Sequence, residues 1–136
     1  MDEKLWREID EKEPIPAHIY ERMESMRKHH KLVIDDEYVK RPTMIAGIRK
    51  AGELNTAVLD EVARHIRAGM STQEIDDIVR EFTHAHGGIC APYQYEGYPK
   101  SVCVSVNNEV CHGIPSRLRK LHDGDIVNVD CTTVLV

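Results

Sequence analysis

The sequence has no long apolar run; nothing in it approaches the roughly 18 residues of a membrane span. It also has no excess of positive charge. With 18 basic against 23 acidic side chains, the net charge is −5 with histidine neutral. That balance lacks the basic face by which a nucleic-acid binder tracks phosphates. Cysteine is sparse, four in 136 residues. Cys90, Cys103, Cys111 and Cys131 form no CxxC pair. The opening stretch, MDEKLWREIDEKE, has no apolar core of the kind a secretory signal carries. The four thiols therefore read as reduced cytoplasmic side chains rather than a disulfide framework. What is present is an ordinary globular composition, 41% hydrophobic and 30% charged, in a length that one domain fills.

Charge is concentrated at one end. Residues 1–40 carry 8 basic and 11 acidic side chains, and the other 96 carry 10 and 12. Residues 1–40 thus read as a charged amino-terminal extension, loose as far as Pro16, with a short helical turn around Leu5 and Trp6. A marginal surface helix follows from Ala17 to Leu32, its basic Arg27, Lys28 and Lys31 placed where the helix dipole favours them. A longer helix opens at Pro42 or Thr43. Its apolar stripe runs through Ile45, Ile48, Leu59, Val62 and Ile66, widened by Leu54 and Val58, and Gly69 stops it. Ser71-Thr72-Gln73-Glu74 is a capping box. The helix it starts aligns Ile75, Ile78, Val79 and Phe82, and Gly87-Gly88 ends it.

Beyond the helices the period changes to two. Strands are expected over Ser101–Val106, over Val110–Pro115, and as one continuous run over Ile126–Val136. Asn107-Asn108 and Asp123-Gly124-Asp125 are turns. A run that stops on Val134-Leu135-Val136 reads as the front part of a larger fold, because an open apolar strand leaves backbone groups without partners.

Several side chains carry chemistry. Asp130 lies in an apolar strand and shares a face with Asn128 and Thr132, opposite Val127, Val129 and Cys131. It suits a metal or catalytic carboxylate, a carboxylate on a solvated face, or a hydrogen-bond hub. His112, before Gly113, is either a satisfied structural residue or an imidazole aimed into a cleft, where it can donate to a developing charge or bind metal. His84 and His86 point to different sides of a helix end and do not make a zinc site. Ala91 to Pro99 holds Tyr93, Tyr95 and Tyr98, three of the five tyrosines. Such a loop lines a small-side-chain pocket or packs as a lid. Cys103, on the side of Ser101 and Ser105, suits a soft pocket wall rather than a nucleophile.

Taken together, Tyr95-Glu96-Gly97-Tyr98-Pro99-Lys100-Ser101-Val102-Cys103, Ser105-Val106-Asn107, Glu109-Val110-Cys111-His112-Gly113-Ile114-Pro115 and Asp123-Gly124-Asp125-Ile126-Val127-Asn128-Val129-Asp130 resemble type I methionine aminopeptidase. The resemblance covers about residues 42 to 136. It implies an α+β chain forming the amino-terminal half of a pita-bread fold, a helical pair packed on an antiparallel sheet. Residues 41–136 would be that half of the peptidase domain. It implies removal of the initiator methionine from nascent polypeptides by two divalent metal ions, cobalt, manganese, iron or zinc, sharing a water. Asp130 matches the first metal-binding aspartate. His112 matches the catalytic histidine that contacts the peptide near the scissile bond. Tyr95, Tyr98 and Cys103, with His112, match the substrate-binding wall around the methionine side chain. Of the two aspartates, one histidine and two glutamates that ligate metal in the family, only the first aspartate falls within this sequence. Glu96 stands where histidine or an aromatic is common.

The intact enzyme would be a cytoplasmic metallohydrolase acting on the methionine ends of polypeptides at the ribosome, with no nucleic-acid or membrane partner. The 136 residues alone would be inactive and prone to self-association through the open strand. The competing reading is a non-catalytic pita-bread-like binding module that pairs with itself or with a ribosomal partner. A weaker one is a pita-bread peptidase for proline-containing peptides.

Overall fold

The computed structural model describes residues 13–135, so the helical turn expected around Leu5 and Trp6 lies outside the described residues. Among the described residues there are three α-helices: α1 (Ala17–Lys28), α2 (Pro42–His65) and α3 (Thr72–Ala85). Four short strands accompany them: β1 (Gly88–Cys90), β2 (Cys103–Val106), β3 (Val127–Asp130) and β4 (Thr133–Leu135). The chain divides into two units between Arg49 and Lys50.

In the first unit α1 begins after Pro16 with no side-chain cap, and Met23 is its one buried residue. It ends at Lys28 rather than Leu32 because His30 turns left-handed at φ 54°, a conformation a helix does not propagate. Leu32 is left 96% exposed. Arg41 ties this region together through backbone carbonyls: its guanidinium donates to Glu13 at 3.0 Å and also to Val39.

The second unit has a continuous core. Val58, Ile75, Val79, Val102, Val104 and Val106 are at most 2% exposed. Each stabilises the fold by about 1.5–3 kcal/mol through area removed from water. In α2 the burial follows the i, i+4 line Leu54, Val58 and Val62; Val62 belongs to the expected stripe, whereas Leu54 and Val58 are expected only to widen it. Leu59 and Ile66 instead are partly in solvent. Helix α2 also ends at His65, short of Gly69. Gly69, at φ 83°, turns the chain so that its N–H donates to the Leu121 carbonyl at 2.8 Å.

Helix α3 has the expected capping box. The Ser71 hydroxyl oxygen accepts from the Glu74 N–H, and the Glu74 carboxylate accepts from the Ser71 N–H at 2.7 Å. Those Ser71 donors hold the Glu74 carboxyl down to about 2. Ile75 and Val79 lie in the core as expected, with Ile78 and Phe82 packed against it.

The sheet is two antiparallel ribbons, β2–β3 and β1–β4. The register of the first sets Cys103 opposite Asp130, Val104 opposite Val129 and Ser105 opposite Asn128. Val104 and Val106 therefore face the core with Val127 and Val129, and Cys103, Ser105, Asn128 and Asp130 share the other face. The continuous strand expected over 126–136 is broken at Cys131-Thr132. β3 stays with β2, and β4 crosses to β1, pairing Gly88 with Leu135. β1 itself is unexpected. A side chain at Gly88 would lie 2.8 Å from Leu54 and 3.0 Å from Thr83 and Thr133, so the glycine that ends the helix region also lets this strand lie close against α2 and α3. Val110–Pro115 is not a strand. His112 is left-handed at φ 58°; the Gly113 carbonyl accepts from the Val104 backbone N–H of β2, but its N–H turns to the Ser105 side chain instead of a ladder carbonyl.

Candidate active site

Four segments of the second unit converge on one open cleft of about 760 Å³. Cys103 and Asp130 face it as directly opposed partners on β2 and β3. Tyr95, Glu96 and Tyr98 line it from the tyrosine loop, and His112 and Ile114 from the loop after β2. Ala91, Pro92 and Thr132 complete it where the Ala91 N–H donates to the Thr132 carbonyl at 2.9 Å. Tyr95, Tyr98, Cys103, His112 and Asp130, the site residues that the resemblance implies, thus line the same concavity. Tyr93 and the His84/His86 pair do not.

The tyrosine loop keeps its shape through unusual backbone. Gln94 and Glu96 are left-handed, at φ 62° and 48°, each costing roughly 1–3 kcal/mol that the surroundings must hold. The Gln94 N–H closes the loop on the Tyr98 carbonyl at 2.8 Å. The two rings differ. Tyr95 is 68% exposed. Tyr98 is half-buried and donates its hydroxyl to the Val102 carbonyl at 3.0 Å, with the Gly113 carbonyl at 3.3 Å. With its hydroxyl engaged by backbone, Tyr98 presents ring rather than polar tip. Burial, then the neighbouring Cys103, pushes its phenol up, so it stays protonated.

The loop is anchored from behind by Asp76, a residue that the sequence reading passes over. Asp76 is 2% exposed. Its carboxylate accepts from the Ser101 N–H at 2.7 Å and from the Gln73 amide at 3.0 Å, and Lys100 donates to the Gln73 carbonyl oxygen. A buried carboxylate is tolerated because donors surround it. The signal was an acidic residue inside the apolar line Ile75, Ile78, Val79, where solvent is not available.

Asp130 and His112 are both exposed. Among the described residues neither side chain has a hydrogen-bond partner, so neither a hydrogen-bond hub nor a satisfied structural histidine describes their setting. The chemistry the cleft offers is a carboxylate, an imidazole, a thiol and two aromatic rings. Among the described residues no group of three or more His, Cys, Asp or Glu side chains is placed to hold a metal ion. One carboxylate does not supply the ligands that two divalent cations require, so these residues do not by themselves fit a metal pair.

No helix among the described residues is long and apolar enough to cross a membrane. The model of metallopeptidase family M24 matches residues 46–136. Methionine aminopeptidase A of Synechocystis is 47% identical over 91 residues, which are 67% of this chain and 36% of that protein. Methionine aminopeptidase 1A of Arabidopsis thaliana is 50% identical over 94 residues, 69% of this chain and 23% of that protein. The crystal structure of methionine aminopeptidase from Thermotoga maritima superposes with a TM-score of 0.69 at 35% identity, covering 71% of this chain and 39% of that one. Xaa-Pro dipeptidase from Bacillus anthracis, at 20% identity and a TM-score of 0.58, shares the fold. The chain spans about a third of the length of Synechocystis methionine aminopeptidase A and less than a quarter of the Arabidopsis protein. Its α+β architecture is that of the amino-terminal portion of the pita-bread fold. The capped helix, the two ribbons and the cleft between them thus belong to a protein of metallopeptidase family M24.

Proposed function

We propose that the cleft receives the amino-terminal methionine of a polypeptide and that the whole protein is a methionine aminopeptidase. The observation that supports this is the convergence of Tyr95, Tyr98, Cys103, His112 and Asp130 on one concavity. A methionine side chain is flexible and polarizable, and aromatic rings with a thiol make favourable contacts with its sulfur. Tyr95, the Tyr98 ring and Cys103 enclose that side chain. His112, exposed and without a side-chain partner among the described residues, donates a hydrogen bond to the peptide beside the scissile bond. Asp130 is one ligand of a divalent metal pair (cobalt, manganese, iron or zinc), the other ligands lying outside the described residues. Residues 1–40 are an extension and 41–136 the amino-terminal half of the peptidase domain, in line with a family match that begins at residue 46.

The partners in this reading are methionine ends of nascent polypeptides at the ribosome, in the cytoplasm, where four free thiols are at home. The unpaired edge of β4 is where two copies associate. Alone, the 136 residues bind without turnover, because their described donors do not complete a metal site. That same observation favours the second reading, a pita-bread-like module that binds without cleaving.

The test is hydrolysis of Met-Ala-Ser with added cobalt or manganese, beside calorimetry of Met-Ala-Ser against Gln-Ala-Ser. The expected result is no turnover by the 136-residue chain and a clear preference for the methionyl peptide. Robust turnover would overturn the inactivity of this chain, and equal or absent binding would overturn the assignment of the cleft.

A further inference from the structure

His112 makes no side-chain hydrogen bond among the described residues, yet its backbone is held left-handed at φ 58°. For a residue with a side chain that conformation costs roughly 1–3 kcal/mol, so the neighbouring chain must impose it. The next residue shows how. Gly113 is buried, and a Cβ there would lie 2.2 Å from the Val104 carbonyl oxygen. Its backbone lies directly on β2. The Gly113 carbonyl accepts from the Val104 N–H at 2.9 Å, with the Tyr98 hydroxyl at 3.3 Å. The Gly113 N–H donates to the Ser105 hydroxyl oxygen at 3.1 Å.

Of these attachments the Val104 N–H is backbone and exists whatever the side chain, and the Tyr98 hydroxyl is shared with Val102. Among the described residues Ser105 alone holds the amide that directly follows His112. It is 2% exposed, and among the described residues no other group bonds to its hydroxyl. It lies on the face opposite Val104 and Val106, so the apolar core those valines fill does not depend on its hydroxyl.

We propose that Ser105 is a positioning residue for His112: its hydroxyl fixes the peptide between His112 and Gly113 and thereby aims the imidazole into the cleft. The inference rests on the methionine-end reading of the cleft for its functional meaning, and on geometry alone for its structural part. Replacing Ser105 by alanine leaves the Gly113 N–H buried without a partner. The corner relaxes, and His112 leaves its left-handed conformation while the core stays intact. Threonine keeps the hydroxyl.

The experiment is NMR of the full 136-residue chain, wild type, Ser105→Ala and Ser105→Thr, each free and titrated with Met-Ala-Ser. In Ser105→Ala the His112 ring and Cα resonances move while those of His65 and His122 stay. Affinity for Met-Ala-Ser falls by about tenfold. Ser105→Thr restores both. Unchanged His112 resonances in a folded Ser105→Ala protein would overturn the positioning role and leave the cleft reading standing. Should Ser105→Ala fail to fold, Ser105→Thr decides: wild-type His112 signals support the hydroxyl's role and displaced ones overturn it. Absence of any peptide-induced shift in the wild type would overturn the cleft reading and the functional part of this inference with it.

Discussion

The two units of the chain are held together by different physics. Residues 13–49 bury little: Met23 and Met44 are its buried apolar side chains. Its order comes from the Arg41 guanidinium on backbone carbonyls and from surface pairs such as Arg27 with Asp36 at 2.7 Å. Residues 50–135 bury a valine-rich core, cap α3 with reciprocal hydrogen bonds, and place a fully surrounded carboxylate, Asp76, behind the tyrosine loop. Exposed ion pairs are worth about 0–1 kcal/mol each, whereas a buried valine or a paired buried carboxylate is worth more. A cleft that must hold side chains at fixed positions needs the second kind of support, and all the site residues are found there.

Perturbations should sort by that contrast. The largest effect is expected for Gly113→Ala, whose new methyl meets backbone rather than a flexible side chain. Unfolding in urea should show a loss of about 3 kcal/mol or more, with the cleft resonances most displaced. Next comes Asp76→Ala, which strands the Ser101 N–H and costs about 2–3 kcal/mol. Asp76→Asn, which keeps an acceptor for that N–H, should cost clearly less in the same titration. If the two variants are equal, the hydrogen bond to Ser101 is not what Asp76 contributes.

Ser71→Ala removes the α3 cap and should cost about 1 kcal/mol. The cap also has a pH signature. Glu74 is lowered from 4.5 to about 2 by the Ser71 donors, so its contribution is complete above the ordinary glutamate range and fades as pH falls from there toward 2. Ser71→Ala loses the hydroxyl donor but keeps the Ser71 N–H, the larger cause, so it should make that part of the acid-unfolding profile shallower without abolishing it. The smallest effect is expected in the other unit. Arg27→Ala breaks two exposed pairs, to Glu24 and Asp36, and should change stability less than any of the other variants, and by still less in high salt.

Local signals were readable in the sequence where a single chemical rule decides the outcome. Ser71 and Glu74 announce the start of α3 because a capping box needs only four consecutive residues. The alternation at 126–130 assigned Asp130 and Val129 to opposite faces because a strand's period is fixed. Long-range partners were not readable. Cys131-Thr132 looks like uninterrupted strand until β1 offers β4 a different partner. Gly88 looks like a helix stop until its proximity to Leu54 and Thr83 is seen. His112 sits in a β-branched context, yet its backbone is left-handed because Gly113 is tied to Ser105. In the site, Asp130, His112 and the tyrosines carry side chains unusual enough to be noticed alone. Asp76 and Ser105 act through backbone amides far away in sequence, and no spacing rule connects residue 76 to 101 or 105 to 113.

The most direct test of the central claim is a chemical-shift map of the 136-residue chain titrated with a peptide that begins with methionine. The expected result is that the largest changes fall on Tyr95, Tyr98, Cys103 and His112, with the α3 cap at Ser71 unmoved. Changes confined to other surfaces, or equal changes with a peptide that begins with glutamine, would contradict the claim.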